Sequence, residues 1–158
     1  MAPAEDHSSG EGENRGIKHK QRFVGAALQG KGMKSLLTMT AVIEGGTGLV
    51  LVALPSPLAA LLLGSSLKTP VALTVARVAG VALIAAGVAC WLARHDGQSR
   101  AARGLVGAMA LYNAGIFTVL VYAGLGSGLV GIGLWPTVLV HAAMTLWCVT
   151  SLPRNRPG

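Results

Sequence analysis

The chain has 158 residues, of which 52% are hydrophobic and 12% are charged, and it carries a formal net charge of +7. The apolar residues form long blocks and not a periodic stripe, which excludes an ordinary soluble domain and indicates membrane spans. The basic residues lie in two tails and one loop beside these blocks, so they indicate membrane topology and exclude nucleic acid as the partner.

The chain begins with a polar segment, residues 1–32, which we predict to be a disordered cytosolic tail. Its first part has almost no large apolar side chain, so burial cannot offset the entropy lost on ordering. The tail starts acidic and becomes basic toward the first span, where an anionic membrane surface would attract it. The long charged region and the long apolar run after it argue against a cleaved signal peptide.

The first predicted span covers residues 34–54 and has one carboxylate, Glu44, near its centre. Its length matches the roughly 20 residues that cross a bilayer as a helix. Pro55 and Pro57 end the helix, because neither proline can donate a backbone hydrogen bond. The following apolar run, 58–63, is too short to cross the membrane.

Three further spans are predicted over residues 70–94, 104–124 and 129–152, and residues 153–158 form a second cytosolic tail. Pro70 suits the first turn of a helix, where a missing N–H has no cost. Small residues such as Gly80, Gly104 and Gly107 predict points of close helix approach. The expected fold is all-α, a bundle of four transmembrane helices in residues 33–152 with a disordered N-terminal tail.

The charges outside the spans predict the orientation. Lys and Arg are concentrated in the N-terminal tail, the loop between the second and third spans and the C-terminal tail. The positive-inside rule then places both termini in the cytosol, in a multi-pass protein of the cell membrane, specifically the inner membrane. Trp91 and Trp147 fall near the inner boundary, and Tyr122 and Trp135 near the outer one, as an aromatic belt requires.

Every span contains a polar side chain that a lipid-facing helix would avoid. Counted from the outer helix ends, Arg77 lies about 10 Å deep and Glu44 roughly 15 Å deep. An isolated buried charge costs roughly 2.5–3.5 kcal/mol, so these two residues are expected to form an ion pair inside the bundle. The predicted ligand-binding constellation is Glu44, Arg77, Tyr112, Asn113 and His141.

Two interpretations of this constellation stay open. It could be a network that only fixes helix order and register, or a site for a proton, a quinone head group or a small ligand. His141 could exchange a proton with Glu44 near neutral pH. One usable histidine and one buried carboxylate are too few for a metal site, no cofactor is expected, and Cys90 and Cys148 are expected to act as small hydrophobic residues.

The run RVAGVALIAAGV, which contains Arg77, Gly80, Leu83 and Gly87, resembles the arginine-glycine helix of small DoxX-like bacterial membrane proteins. The resemblance extends to the four-span layout and implies a four-helix fold. Some members of that superfamily are linked to quinone or thiol redox complexes. The Glu44-Gly45-Gly46 run and the run from Trp135 to His141 do not match that family's pattern.

These observations predict an integral membrane protein that acts without catalysis, as a structural or accessory component of the inner membrane. The first alternative is a binder or carrier of a lipophilic ligand, quinone or proton. The second is a small membrane oxidoreductase or isomerase, for which Glu44 with His141 or Tyr112 would be the acid–base pair. The expected partners are the lipid bilayer and either another membrane protein or further copies of this chain.

Overall fold

The computed structural model describes the backbone of residues 8–96 and 99–152, and this part of the chain is helical with no strand. Four of its helices contain segments long and apolar enough to cross a membrane, beginning with Gly30–Ala53 in the first of them. The all-α, four-span prediction is therefore confirmed, and the fold is that of a multi-pass membrane protein. The helices are α1 (Ser8–Ala53), α2 (Pro55–Leu63), α3 (Pro70–Ala93), α4 (Arg100–Leu125) and α5 (Leu134–Ser151).

The N-terminal part of α1 differs from the predicted disordered tail. The backbone is helical from Ser8 onward and continues without a break into the span Gly30–Ala53. A helix that already exists in the span lengthens at low cost, because each added residue forms a hydrogen bond while only nucleation must fix several residues for one bond. Residues 1–7 and 153–158 of the predicted tails lie outside the described residues.

A sharp break at Leu54 separates α1 from the short helix α2. Leu54 leaves the helical region, and Pro55 occupies the first turn of α2, as the paired prolines predict. Gly64 ends α2 in the left-handed conformation (φ 72°), and its N–H donates to the carbonyl of Ala60 over 2.9 Å. The chain therefore folds back over the end of α1, and we call this end of the bundle the α2 end.

Close contact between glycines holds α1 against α3. A Cβ added to Gly48 would lie 2.6 Å from the carbonyl oxygen of Gly80, and one added to Gly87 would lie 2.9 Å from the amide nitrogen of Gly45. Only a residue without a side chain permits this approach. The expectation for Gly80 is confirmed, whereas Gly104 and Gly107 of α4 face open space, so the expectation for these two glycines is wrong.

The fourth span begins later than predicted, at Leu134 and not at residue 129. The intervening segment contacts α2: the N–H of Gly133 donates to the carbonyl of Leu61 over 2.9 Å, and a side chain on Gly131 would overlap the backbone of Leu62. Gly128 has a φ of 67°, which other residues rarely adopt. The glycine-rich connection is therefore used to fasten α2 across the bundle.

The apolar core lies toward the opposite end, which we call the basic end because Lys34, Arg94 and Arg103 lie there. Side chains from α1, α3, α4 and α5 meet in one buried cluster that includes both cysteines, which are free thiols. Toward the α2 end the packing opens, because α1 packs mainly on α3 and α4 packs mainly on α5. The core residues are Met33, Leu36, Leu37, Ala41, Cys90, Val106, Met109, Met144 and Cys148.

Candidate functional site

A cavity of about 410 Å³ lies in the opening between the two helix pairs, beneath α2. Its walls come from α1, α2, α4 and α5, and most of the lining side chains are apolar. The polar exceptions include an acid, a phenol and an imidazole. The lining residues are Ile43, Glu44, Thr47, Leu58, Leu61, Leu62, Tyr112, Gly133, Pro136, Thr137, Val140 and His141.

Glu44 is placed in this cavity by the pattern of α1. Buried residues recur at Leu37, Thr40, Ala41 and Glu44, a spacing of three to four residues that puts them on one face of a helix. Glu44 is only 4% exposed, and the Tyr112 hydroxyl donates a hydrogen bond to its Oε2 over 3.1 Å. Among the described residues, no basic side chain pairs with this carboxylate.

Asn113 and His141 form a second hydrogen-bonded unit. The Asn113 side-chain amide donates to the carbonyl of Met109 over 2.8 Å, which leaves its Oδ1 facing Nδ1 of His141 at 2.8 Å. Because that oxygen only accepts, Nδ1 must hold the proton. Within the described part of the chain Nε2 has no hydrogen-bond partner, so it is free to bind a group in the cavity.

The two units meet through their rings. The ring centroids of Tyr112 and His141 lie 6.1 Å apart, with the planes at 75° in an edge-to-face arrangement. Such a contact is favourable for aromatic rings and fixes both side chains at the same wall. An acid, a phenol and an imidazole therefore face one small volume, supported from behind by Asn113, which is only 1% exposed.

Arg77 is not part of this group, and the predicted ion pair with Glu44 is wrong. The Arg77 side chain is exposed, and its Nε donates to the carbonyl of Val52 over 3.4 Å. Val52 belongs to the last turn of α1, where carbonyl groups lack helical partners and a positive charge is favourable. Arg77 therefore caps α1 and does not neutralise a buried carboxylate.

The register of the α1–α3 contact explains the error. Gly48 packs between Gly80 and Ile84, and by the same antiparallel register Glu44 lies level with Ala86. Ala86 is nine residues from Arg77, or about 13.5 Å along a helix. The depths predicted from the sequence assumed that all helices end in one plane, whereas α3 begins beyond the end of α1.

The sequence interpretation missed the hydroxyl groups of Thr47 and Thr137 and the apolar roof formed by α2. Thr47 follows Glu44 by three residues, and Thr137 precedes His141 by four, spacings that place each threonine on the same helix face as the site residue. This spacing was a usable signal. No sequence signal predicted the roof, because the fold-back of α2 depends on contacts with the connection before α5.

The chemistry of the cavity is that of hydrogen bonding and proton transfer. The described residues contain no group of three His, Cys, Asp or Glu side chains that could hold a metal ion. One further polar atom is buried nearby on α1: Thr40 Oγ1 has no hydrogen-bond partner in the described part of the molecule. The site is therefore an apolar chamber with a few polar groups on one wall.

The fold and the polar wall of the cavity define the class of protein. It is a multi-pass membrane protein in which an ionisable side chain of α1, Glu44, faces the interior of the bundle. No protein-family model matches the chain, and no curated protein or solved structure is significantly similar to it. The resemblance to DoxX-like proteins stays a prediction.

Proposed function

We propose that this protein is a non-enzymatic component of the inner membrane that binds a lipophilic ligand with a polar group in the cavity under α2. The observation that carries the proposal is the cavity itself, which reaches Glu44, Tyr112 and His141. A network that served only to fix the helices would be dry and fully paired. Here His141 lines the cavity, and its Nε2 has no hydrogen-bond partner among the described residues.

The size and lining of the cavity fit a small ligand. Its volume of about 410 Å³ falls within the roughly 300–1,000 Å³ of small-molecule sites. Such sites combine apolar walls with a few polar groups that orient the ligand. Leu58 and Leu62 from α2 and Ile43 from α1 provide the apolar surface, and Glu44 and His141 provide the orienting groups.

The ligand would enter from the lipid. Leu61 and Val140 line the cavity and are also 49% and 43% exposed, so its mouth lies at the outer surface between α2 and α5. A molecule dissolved in the bilayer reaches this mouth without passing through water. A lipophilic ligand is therefore favoured over a strongly hydrated one.

The proposed orientation places the α2 end outside and both termini in the cytosol. Its support is the concentration of positive charge at the basic end, where the Arg94 guanidinium stacks 3.6 Å from the centre of the Trp91 ring. A reporter that is active only in the periplasm should be silent when fused after Pro157 and active when inserted at Ser65. The reverse pattern would contradict the orientation.

The ligand-binding proposal is tested with N-phenyl-1-naphthylamine, a neutral fluorophore whose emission rises in apolar sites. The protein is placed in lipid nanodiscs, and saturable binding is measured by fluorescence. Val140→Phe and Thr137→Phe each fill the cavity from α5 and should abolish saturable binding. Val149→Phe, at another exposed position on the same helix that does not line the cavity, should bind like the wild type.

Comparing these variants distinguishes fluorophore binding in the cavity from its partitioning into the bilayer, because the lipid is the same for all of them. Equal fluorescence titrations for the wild type, Val140→Phe and Val149→Phe would contradict a ligand-binding cavity. The role of a purely structural or accessory component would then be the better proposal. It is supported by the buried Asn113–His141 hydrogen bond, which joins α4 to α5 and needs no ligand.

A further inference from the structure

The acidic side chain in the cavity indicates the class of ligand. The structure describes twelve residues that line the cavity, and Glu44 is the one among them whose side chain can be negatively charged in the ordinary pH range. None of the twelve is Lys or Arg. Arg77, which the sequence analysis predicted as the counter-charge, instead donates to a carbonyl at the end of α1. In the part of the chain that the structure describes, the carboxylate has one hydrogen bond, from Tyr112.

This arrangement is unfavourable for an ionised carboxylate until a cation enters. A charge in an apolar environment is costly unless it is paired, and a single phenol hydroxyl satisfies only one of several lone pairs on the carboxylate. A ligand with a positive group would supply the missing counter-charge. An anionic ligand would meet the Glu44 side chain and no Lys or Arg in the lining.

We propose that the cavity is selective for lipophilic monovalent cations, such as amines and quaternary ammonium compounds with an aromatic or alkyl body. This inference rests on the proposed ligand-binding function and names its substrate class. The positive group would lie against Glu44, and the Tyr112 ring beside it is an aromatic surface of the kind that attracts a cation. The apolar body would lie under Leu58 and Leu62 of α2.

Three benzyl compounds of nearly equal shape test the charge preference. Benzyltrimethylammonium is cationic, neopentylbenzene has carbon in place of its nitrogen and is neutral, and benzylsulfonate is anionic. Each competes with N-phenyl-1-naphthylamine in nanodiscs, and the inhibition constant is measured for the wild type, Glu44→Gln and Glu44→Asp. Comparing variants for one compound cancels its partitioning into the lipid.

We expect Glu44→Gln to weaken competition by benzyltrimethylammonium at least tenfold. The same substitution should change competition by neopentylbenzene less than twofold. Glu44→Asp, which keeps the charge, should stay within about threefold of the wild type for the cation. Benzylsulfonate should compete with the wild type far more weakly than the cation does. Gln preserves the shape of Glu and can still accept the Tyr112 hydrogen bond.

The outcomes separate this inference from the function on which it rests. Absence of cavity-dependent fluorophore binding would remove the ligand-binding function itself. If the fluorophore binds normally but Glu44→Gln weakens competition by the cation and by the neutral compound equally, the cation selectivity alone is overturned. The same conclusion follows if Glu44→Gln weakens competition by neither compound. If Glu44→Gln does not fold, the wild type decides, because competition by benzylsulfonate as strong as that by the cation would overturn the inference.

Discussion

Arg77 caps the end of α1, a role that an exposed arginine can have without a carboxylate partner. Its Nε donates to the carbonyl of Val52, one of the groups that a helix end leaves unsatisfied. We predict that Arg77→Met costs about 1 kcal/mol of unfolding free energy, the amount typical of one exposed hydrogen bond with a helix-dipole contribution. Unfolding in mixed detergent micelles, followed by circular dichroism, measures this difference.

The same experiment distinguishes capping from an ion pair. Because Glu44 and Arg77 do not touch, the effects of Glu44→Gln and Arg77→Met should add in the double variant within about 0.5 kcal/mol. A double variant more stable than either single one would show that the two charges are coupled, and would contradict the placement of Arg77 in this structure.

Asn113 is predicted to be the most sensitive polar residue of the bundle. Asn113→Leu removes the acceptor for the Nδ1–H of buried His141 and should lower the unfolding free energy by about 2 kcal/mol. Thr118→Val is the control, an exposed hydroxyl on the same helix that binds only its own backbone. Equal effects of the two substitutions would show that the Asn113–His141 bond contributes little.

At the residue scale, the sequence was sufficient to single out the polar side chains but not to pair them. Glu44, Tyr112 and His141 line one cavity and Asn113 supports it, whereas Arg77 lies apart. The cost of burying a polar group is a property of each residue and can be read from the sequence. Which two groups meet depends on the relative height of the helices, and composition holds no information on that height.

At the element scale, the α1–α3 contact depends on the absence of side chains at a few positions. Gly48→Ile should separate the helices and lower stability strongly, because even a Cβ would lie 2.6 Å from the Gly80 carbonyl oxygen. Gly46→Ile changes helix propensity in the same way on the open face of α1, where a Cβ contacts nothing within 4 Å. Comparing the two variants isolates packing from propensity.

The expected difference between Gly48→Ile and Gly46→Ile is at least about 2 kcal/mol, since overpacking typically costs 1–3 kcal/mol and backbone is the obstacle here. Unfolding in mixed micelles measures it. Similar stabilities would show that α1 and α3 do not meet through Gly48. The sequence predicted close packing through glycine, but it could not say which glycines, because Gly104 and Gly107 look equally suitable and face open space.

At the scale of the whole molecule, the cavity results from an offset between helices. α3 starts beyond the end of α1, the chain between them folds back as α2, and the connection before α5 fastens α2 through the Gly133–Leu61 hydrogen bond. The number of spans follows from hydropathy and was predicted. The roof follows from contacts between distant segments, so the sequence showed only a short apolar run between two breaks.

The proposed function requires that this roofed cavity holds a ligand whose polar group lies at Glu44. The most direct measurement is an X-ray structure of the protein with 4-bromobenzyltrimethylammonium, in which anomalous scattering locates the bromine. We expect a bromine peak between α2 and α5, beside Leu62 and Val140, with the ammonium group toward the Glu44 carboxylate. Bromine found only on the outer surface of the helices, with the cavity unchanged, would contradict this expectation.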